Sequence, residues 1–346
     1  MFNPLLLSRY GWKPFFQQQL SLEEFESCSI ARVSSVHKNH IECLNESGYL
    51  RLPLLASTPQ LATGDWIVVD ESEHINRRLE RFSHIARKAA GSEVETQLMV
   101  VNIDTAFIVS SLNDDFSLNR IERYLALCKE TDIQPVVILT KKDLCSDWQS
   151  FQEQVQGLDD QLEVQVVNAL DTTSLKALQQ HGDKGNTIVV LGSSGVGKST
   201  LINSLANSEL QTTGGIRESD SKGRHTTTQR HIIPLQAGGV IIDTPGMREL
   251  QVINCEEGIK QTFADIEALA EQCKFGDCQH KSEPGCAVQQ AVHEGKLDAR
   301  RLDNFHKLLQ EEAFNTATIA EKREKDRQLS KMYRTAIVQR KLKKGG

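Results

Sequence analysis

The sequence predicts a chain of three domains: a small five-stranded β-barrel, a central α/β domain and a C-terminal α-helical domain built around a cysteine cluster. Short β-rich segments alternate with turn signals from about residue 29 to 69, which is typical of a barrel or sandwich. From about residue 97, apolar strands alternate with helical stretches, the pattern of an α/β domain. We expect an extension over 1–30, the barrel over 31–95, the α/β domain over 96–252 and the helical domain over 253–346.

Composition places this chain of 346 residues among ordinary globular proteins, with 39% hydrophobic and 25% charged residues. Residues 1–30 lack the pattern of a signal peptide, and no apolar run approaches the length of a membrane span. The eight cysteines do not form the spacing of a secreted disulfide framework. We expect a cytoplasmic, monomeric protein with no membrane partner.

The N-terminal third divides into an extension and a barrel. Residues 1–30 have no clear hydrophobic period, so we expect them to be loosely ordered. Segments 30–33, 49–52 and 66–69 are β-rich, and the turns between them are close together. A five-stranded OB-type barrel, whose open face commonly binds oligonucleotides, is the simplest interpretation. Any small β domain would give the same pattern.

Two basic regions indicate contact with a nucleic acid. From Glu321 to Gly346 there are ten Lys or Arg and three acids, a net charge of +7 on a chain whose total is −6. A second group follows the barrel strands, and we interpret it as a connector between domains. It contains Arg77, Arg78, Arg81, Arg87 and Lys88. Both regions are also compatible with a solvated surface that has no partner.

A guanine-recognition motif follows the second strand of the α/β domain. We expect strands over 105–109 and 135–139 and a helix over 118–131 between them. The next four residues, Thr140-Lys141-Lys142-Asp143, resemble the N/T-K-x-D motif of translation-factor-type GTPases. A carboxylate at Asp143 can accept hydrogen bonds from N1–H and the amine of guanine, which adenine does not offer. Asn168-Ala169, after the next strand, resembles the S-A-x loop whose backbone also contacts guanine.

A phosphate-binding loop occupies residues 192–200, between an apolar strand at 187–191 and a helical stretch. The loop fits G-x-x-x-x-G-K-[ST], whose backbone N–H groups point at phosphate oxygens. We expect Lys198 to reach the β- and γ-phosphates and Ser199 to ligate Mg²⁺. The loop consists of Gly192, Ser193, Ser194, Gly195, Val196, Gly197, Lys198, Ser199 and Thr200.

The motif order is inverted relative to ordinary GTPases, in which the phosphate loop precedes the guanine motifs. A circular permutation, in which the old chain ends are joined and a new break is opened, preserves the same sheet. The sequence thus predicts a circularly permuted α/β P-loop GTPase domain. The new break falls after the second switch, so the segment that follows is attached to the part that moves when γ-phosphate is lost.

Two further stretches resemble the switches of circularly permuted GTPases. Gly223 to Thr228 resembles the first switch, where a threonine, Thr227 or its neighbour Thr226, is expected to ligate Mg²⁺. In the second, 240–246, an apolar strand delivers Asp243 to Mg²⁺, and the Gly246 N–H can bond the γ-phosphate. Met247 stands where many GTPases have a water-orienting Gln, so His225 is the candidate catalytic residue. A purely structural role for His225 is the alternative.

A metal-binding pattern lies after the switches. Cys273, Cys278, His280 and Cys286 give three thiolates and one imidazole in fourteen residues. This set suits tetrahedral zinc and leaves no position for catalysis, so we expect one structural Zn²⁺. Chance spacing or redox-active cysteines are the alternatives. From Leu297 onward the chain is predicted to be helical and increasingly basic.

Together, the barrel, the permuted motifs, G-R-H-T-T-T, D-T-P-G and C-x4-C-x-H-x5-C resemble the RsgA family of ribosome small-subunit-dependent GTPases over about residues 30–300. The resemblance implies GTP hydrolysis with Mg²⁺, stimulated by the small ribosomal subunit, late in the maturation of that 30S subunit. It also implies that the barrel and zinc domains bind rRNA. Two other functions remain open: a nucleic-acid-binding scaffold that uses GTP as a folding or regulatory ligand, and a P-loop ATPase or small-molecule kinase.

Overall fold

The computed structural model describes residues 3–88, 96–183, 185–206, 231–244 and 251–317. The predictions for His225, Thr227 and Gly246, and for the basic tail, lie outside the described residues. Within the described parts of the chain, no helix has the length and apolar character needed to cross a membrane.

The N-terminal segment is folded, which differs from the loose extension expected from the sequence. It contains helices α1 (Pro4–Leu7), α2 (Pro14–Gln17) and α3 (Leu22–Ser27). Leu7, Trp12 and Phe16 are buried, and the Trp12 ring meets Trp66 edge-on with centroids 4.9 Å apart. Helices of four to six residues are too short to show a 3.6-residue period. The N-terminal segment is held in place by packing between aromatic residues that are distant in the sequence.

Five strands form an antiparallel sheet after this segment. They are β1 (Ser29–Val36), β2 (His40–Asn45), β3 (Gly48–Pro53), β4 (Trp66–Val69) and β5 (Ile75–Arg78), in the order β3-β2-β1-β4-β5. The strands expected over 30–33, 49–52 and 66–69 are confirmed. Their inward side chains, among them Val33, Ile41 and Ile67, form a separate apolar core. Closure of this sheet into a barrel remains a prediction.

The basic stretch after the barrel is not a connector. Arg77 and Arg78 lie in β5, and Arg87 lies in β6 (His84–Lys88), which pairs antiparallel with β7 (Thr96–Val101). Arg81, between the two strands, is paired with the fully buried Asp65. A stretch that mixes basic and apolar residues can form either strands or a solvated linker. In the structure, pairing with neighbouring strands makes it β-sheet.

Arg32 joins the N-terminal sheet to the central domain. Its guanidinium is buried and donates to the Thr187 hydroxyl at 2.8 Å, to the Asn102 carbonyl at 3.1 Å and to the Tyr10 carbonyl. Burial lowers the pKa of Arg32 to about 10, which leaves the side chain cationic at neutral pH. These hydrogen bonds offset the cost of burying the charge.

The central domain is a six-stranded sheet. Its strands are β8 (Thr105–Ser111), β9 (Gln134–Thr140), β10 (Glu163–Val166), β11 (Thr187–Leu191), β12 (His231–Pro234) and β13 (Val240–Asp243), in the order β10-β9-β8-β11-β13-β12. All neighbours are parallel except β12 and β13. The helices are α4 (Leu118–Glu130), α5 (Trp148–Gln156), α6 (Lys176–Gln179) and α7 (Lys198–Ala206). The expected strands over 105–109 and 135–139 and the helix from 118 are confirmed.

The C-terminal part is helical and packs on α4. It contains α8 (Glu256–Thr262), α9 (Ala264–Ala270), α10 (Ala287–His293) and α11 (Ala299–Thr316). Gly258 sits so close to α4 that a Cβ there would lie 2.1 Å from the Ala126 carbonyl oxygen. Glu122 of α4 is fully buried and is paired with Arg300 and Arg301 of α11. The central and helical parts therefore share a polar, tightly packed contact.

Candidate nucleotide and metal sites

The phosphate-binding loop has the backbone that its sequence predicts. It links the carboxyl end of β11 to the first turn of α7. Gly192, Gly195 and Gly197 have φ values of 145°, 83° and 96°, which favour glycine. At Gly192, a Cβ would also lie 2.4 Å from the Val109 carbonyl oxygen. The tight turn thus depends on glycine for both conformation and space.

Polar groups with the chemistry for phosphate and Mg²⁺ meet at this loop. The Lys198 ammonium donates to the carbonyl oxygens of Gly192, at 2.9 Å, and Ser193, so the charge lies within the curve of the loop. Ser199 occupies the first turn of α7. Asp243 ends β13, the parallel neighbour of β11, and Thr244 is fixed by a 2.9 Å hydrogen bond to the Val190 carbonyl. A lysine, a hydroxyl and a carboxylate therefore lie at one edge of the sheet.

Thr140 connects the guanine motif to the phosphate loop. Its side chain is buried, and its hydroxyl donates to the Val196 carbonyl at 2.6 Å. A Cβ on Gly197 would lie 3.6 Å from the same hydroxyl oxygen. We infer that Thr140 acts by positioning the loop, which refines the contact with nucleotide expected from the sequence.

The remaining guanine-side residues lie on adjacent loops. Lys141 takes a left-handed conformation with φ of 64°, which starts the short 3-10 turn that carries Asp143. Asp143 is an exposed residue. Lys142 instead lies over the Trp148 ring at 4.3 Å, pointing to a packing role for its side chain.

Helix α7 also contacts the loop after β10, which carries Asn168 and Ala169. The Ser204 hydroxyl donates to the Ala169 carbonyl at 2.7 Å, and the Asn168 side chain accepts from the Leu170 N–H at 3.0 Å. These hydrogen bonds fix the backbone of the loop after β10. The structure thus brings the loops after β9, β10 and β11 to the same edge of the sheet, where ligands of open α/β sheets bind.

The cysteine cluster assembles with the dimensions of a zinc site. Ligand atoms of Cys273, Cys278, His280 and Cys286 all lie within 4.8 Å of one another. The Cys273 sulfur is 3.9 Å from the Cys286 sulfur and 3.6 Å from His280 Nδ1, and Cys286 is 3.5 Å from that nitrogen. Tetrahedral zinc with its usual bond lengths places sulfurs about 3.8 Å apart and sulfur and nitrogen about 3.5 Å apart. The residues therefore fit Zn²⁺.

Backbone hydrogen bonds stabilise the Cys273 thiolate, whereas burial raises the pKa of Cys278 to about 11. Burial opposes ionisation of Cys273, but backbone N–H groups of Ala287 and Val288 donate to its sulfur, and the net effect lowers the pKa of that thiol. Gln289 supports two of the cluster residues. Its backbone N–H donates to the Cys286 sulfur at 3.4 Å, and its side-chain amide donates to the His280 carbonyl at 2.6 Å. Such supporting contacts orient metal ligands.

Arg120 is a site residue that the sequence analysis missed. It lies in the first turn of α4 and donates to the Ser193 hydroxyl in the phosphate loop and to Asp115 at 2.9 Å. Helical periodicity placed Arg120 on the predicted helix, but no motif marks it. Its partner in the loop is 73 positions away in the chain.

Comparison with known proteins agrees with this geometry. A family model described as RsgA GTPase matches residues 78–253, and one described as ABC transporter matches 175–340, a range that includes the phosphate-binding loop. A relative from Vibrio vulnificus, "Small ribosomal subunit biogenesis GTPase RsgA 2", is 54% identical over 332 residues, which cover 96% of this chain and 95% of the relative.

Two solved structures are similar in fold. YjeQ from Thermotoga maritima has a TM-score of 0.60 and 24% identity, and the match covers 82% of this chain and 99% of YjeQ. YloQ, described as a circularly permuted GTPase, has a TM-score of 0.58 and 25% identity, and the match covers 84% of this chain and 96% of YloQ. The fold of the central domain is thus that of a circularly permuted P-loop GTPase.

Proposed function

This chain belongs to the RsgA GTPase family, and from that premise we propose that it hydrolyses GTP to GDP and phosphate when stimulated by the small ribosomal subunit, during late maturation of that subunit. The observation that carries the proposal is the bond between Thr140 and Val196, which ties the guanine motif directly to the phosphate loop. A nucleotide whose base contacts Asp143 would then have its phosphates in the loop.

Different residues bind the phosphates, the base and Mg²⁺ of the nucleotide. Backbone N–H groups of the loop and the Lys198 ammonium bind the phosphates, and Asp143 selects guanine. The Ser199 hydroxyl and the Asp243 carboxylate would hold Mg²⁺, together with Thr227. When bound, Mg²⁺ neutralises charge that develops on the phosphate oxygens. Asn168 and Ala169 complete the guanine side through their backbone.

Water attack requires a further group, because Met247 has no side-chain hydrogen-bond donor or acceptor suited to orienting water. His225 remains our proposed catalytic residue, acting on the attacking water or on its proton. We propose that its correct placement depends on contact with the small subunit, so that intrinsic hydrolysis is slow.

The cysteine cluster would hold one structural zinc ion. With three thiolates and one imidazole the ion is fully coordinated, so its role is to fix the segment between α9 and α10. In the sequence, this segment follows α8 and α9, and α8 begins thirteen residues after Asp243 at the end of β13. A change at the second switch is thereby transmitted directly into the helical domain, which we propose to bind rRNA together with the barrel.

Hydrolysis of GTP and ATP by the zinc-loaded protein, with and without purified small subunits, tests the proposal. We expect strong stimulation for GTP by small subunits, and none by large subunits used as the control. Equal use of ATP would support the P-loop ATPase or kinase alternative. GTP binding without stimulated hydrolysis would support the scaffold alternative.

A further inference from the structure

The phosphate loop and the C-terminal helix are connected through one face of α4. Arg120 contacts Ser193 of the loop, and one turn later Arg123 forms two 2.6 Å hydrogen bonds with the Glu311 carboxylate of α11. Residues three apart on a helix lie on the same side. A cleft of about 820 Å³ lies between these elements, and Arg120, Arg123, Ser193 and Glu311 line it.

Helix α4 is fixed to the helical domain by buried charge. Glu122 is fully buried and accepts hydrogen bonds from Arg300 at 2.9 Å, Arg301 at 2.7 Å and Asn304 at 2.6 Å. Arg301 also pairs with Asp265 of α9 through two 2.8 Å contacts. Separating α4 from α11 would break all three hydrogen bonds to Glu122, two of which join opposite charges. A shift of the helical domain therefore carries α4 with it.

Arg120 converts such a shift into a change at the loop. One guanidinium nitrogen, Nη1, donates both to Asp115 and to the Ser193 hydroxyl, so the start of the loop follows α4. Transfer of a phosphoryl group depends on sub-ångström positioning of the loop and of the groups around it. A small displacement of α4 is thus sufficient to alter the rate.

We propose that Arg120 is a positioning residue through which a partner that grips the C-terminal helical domain controls the phosphate loop. The inference rests on the proposed function, because it assumes that GTP is hydrolysed at this loop and that the small subunit is the partner. It adds a route for stimulation that runs through α4, separate from the direct link between β13 and α8.

A double-mutant cycle with Arg120→Gln and Glu122→Gln tests the route, because Glu122 carries the contacts that fix α4 to α11. We expect each variant to lower subunit-stimulated kcat about tenfold and to change KM for GTP less than about threefold. The double variant should be no slower than either single one, because both changes interrupt one connection. Asp159→Asn, which removes an ion pair with Lys129 at the far end of α4 but keeps the Lys129 bond to the Gln261 carbonyl, is the matched control and should keep full stimulation.

Two readouts separate this inference from loss of folding and from the proposed function. Thermal unfolding identifies a variant that fails to fold, and Arg120→Lys, which keeps the charge but loses the planar fork, should recover part of the rate. Full stimulation of Arg120→Gln, or additive losses in the double variant, would overturn the inference alone. If the unmodified chain shows no stimulation, the proposed function fails. The same double-mutant cycle is then measured on affinity for a fluorescent GDP analogue. Non-additive losses of affinity support the link between α4 and the loop, and additive losses overturn it.

Discussion

The hydroxyl of Thr140 donates a 2.6 Å hydrogen bond to the backbone carbonyl of Val196, inside the phosphate-binding loop. The bond is buried and spans 56 positions of the chain. A residue of the guanine motif thereby holds the loop that binds phosphate. The guanine motif and the phosphate-binding loop are consequently joined by a direct hydrogen bond.

Replacing Thr140 with Val should weaken GTP and GDP binding equally. The variant keeps the shape of the side chain but leaves the Val196 carbonyl without its buried donor. This makes the nucleotide-binding conformation of the loop less favourable by about 1 to 2 kcal/mol and lowers affinity by up to roughly five- to thirtyfold. Thr140→Ser retains the hydroxyl and should bind normally. Equilibrium titration with both nucleotides measures the effect. A loss confined to discrimination between guanine and adenine would instead place the hydroxyl on the base.

Replacing Asp143 with Asn should reverse base preference. The carboxylate accepts two hydrogen bonds from guanine, and charge-assisted bonds contribute about 1.5 to 3 kcal/mol each. Because the Asn amide presents one acceptor oxygen, one of the two bonds is lost, and GTP affinity should fall by about one to two orders of magnitude. Xanthosine triphosphate carries an oxygen in place of the guanine amine, so its affinity for this variant should rise relative to that of GTP. Competition binding with both nucleotides measures the change. Unchanged GTP affinity in this variant would remove Asp143 from the site.

Replacing Cys286 with Ala should abolish stoichiometric zinc binding. The cluster would keep three of its four donors, and structural zinc contributes on the order of 10 kcal/mol to the folding of small domains. Zinc content should fall from one ion per chain to near zero, and amide exchange should accelerate in α9 and α10. Cys145→Ala, outside the cluster, is the control and should retain one ion. A zinc-free protein with unchanged exchange in these helices would argue against a structural metal.

The pairing of Glu24 with Arg77 should make the stability of the N-terminal domain depend on pH. Two hydrogen bonds from Arg77 lower the pKa of Glu24 from its ordinary value of 4.5 to about 2. Because the folded pKa is depressed, the stabilisation is fully present above about pH 4.5 and is lost as the pH falls toward 2. The pair is partly exposed, so its contribution is below about 1 kcal/mol.

Urea unfolding of Glu24→Gln and of the parent chain measures this effect. Trp12 and Trp66 report on the N-terminal domain when Trp148 is replaced by Phe in both proteins. The variant should be less stable at pH 7, and the difference should shrink by pH 2.5. A difference that stays constant over this range would mean that the carboxylate charge is not responsible.

Local patterns predicted much of the site and of the central fold. The phosphate loop was recognisable because its glycines, its lysine and its serine lie within a few residues of one another in the sequence. The Cys₃His cluster was recognisable for the same reason, with turns between closely spaced donors. The helix and strand assignments of the central domain followed from long apolar periods.

The N-terminal helices and the basic strands were not predicted correctly. The short helices α1 and α2 give too few residues for a periodic signal, and they are held by the packing of Trp12 and Phe16 against Trp66. Arg77 and Arg78 were interpreted as a connector because charge suggested solvent. In the structure they lie in β5, where Arg77 pairs with Glu24 of α3.

The sequence by itself determined the chemistry of this protein: a phosphate loop, a guanine motif in permuted order and a Cys₃His cluster, each encoded within a short stretch. Only the tertiary structure decided that Thr140 holds the phosphate loop, that Arg120 reaches Ser193 and that Glu122 is buried against Arg301. The reason is physical. A motif is set by local backbone geometry and side-chain type, whereas these hydrogen bonds join residues 56 to 179 positions apart and form only when sheet and helices have packed together.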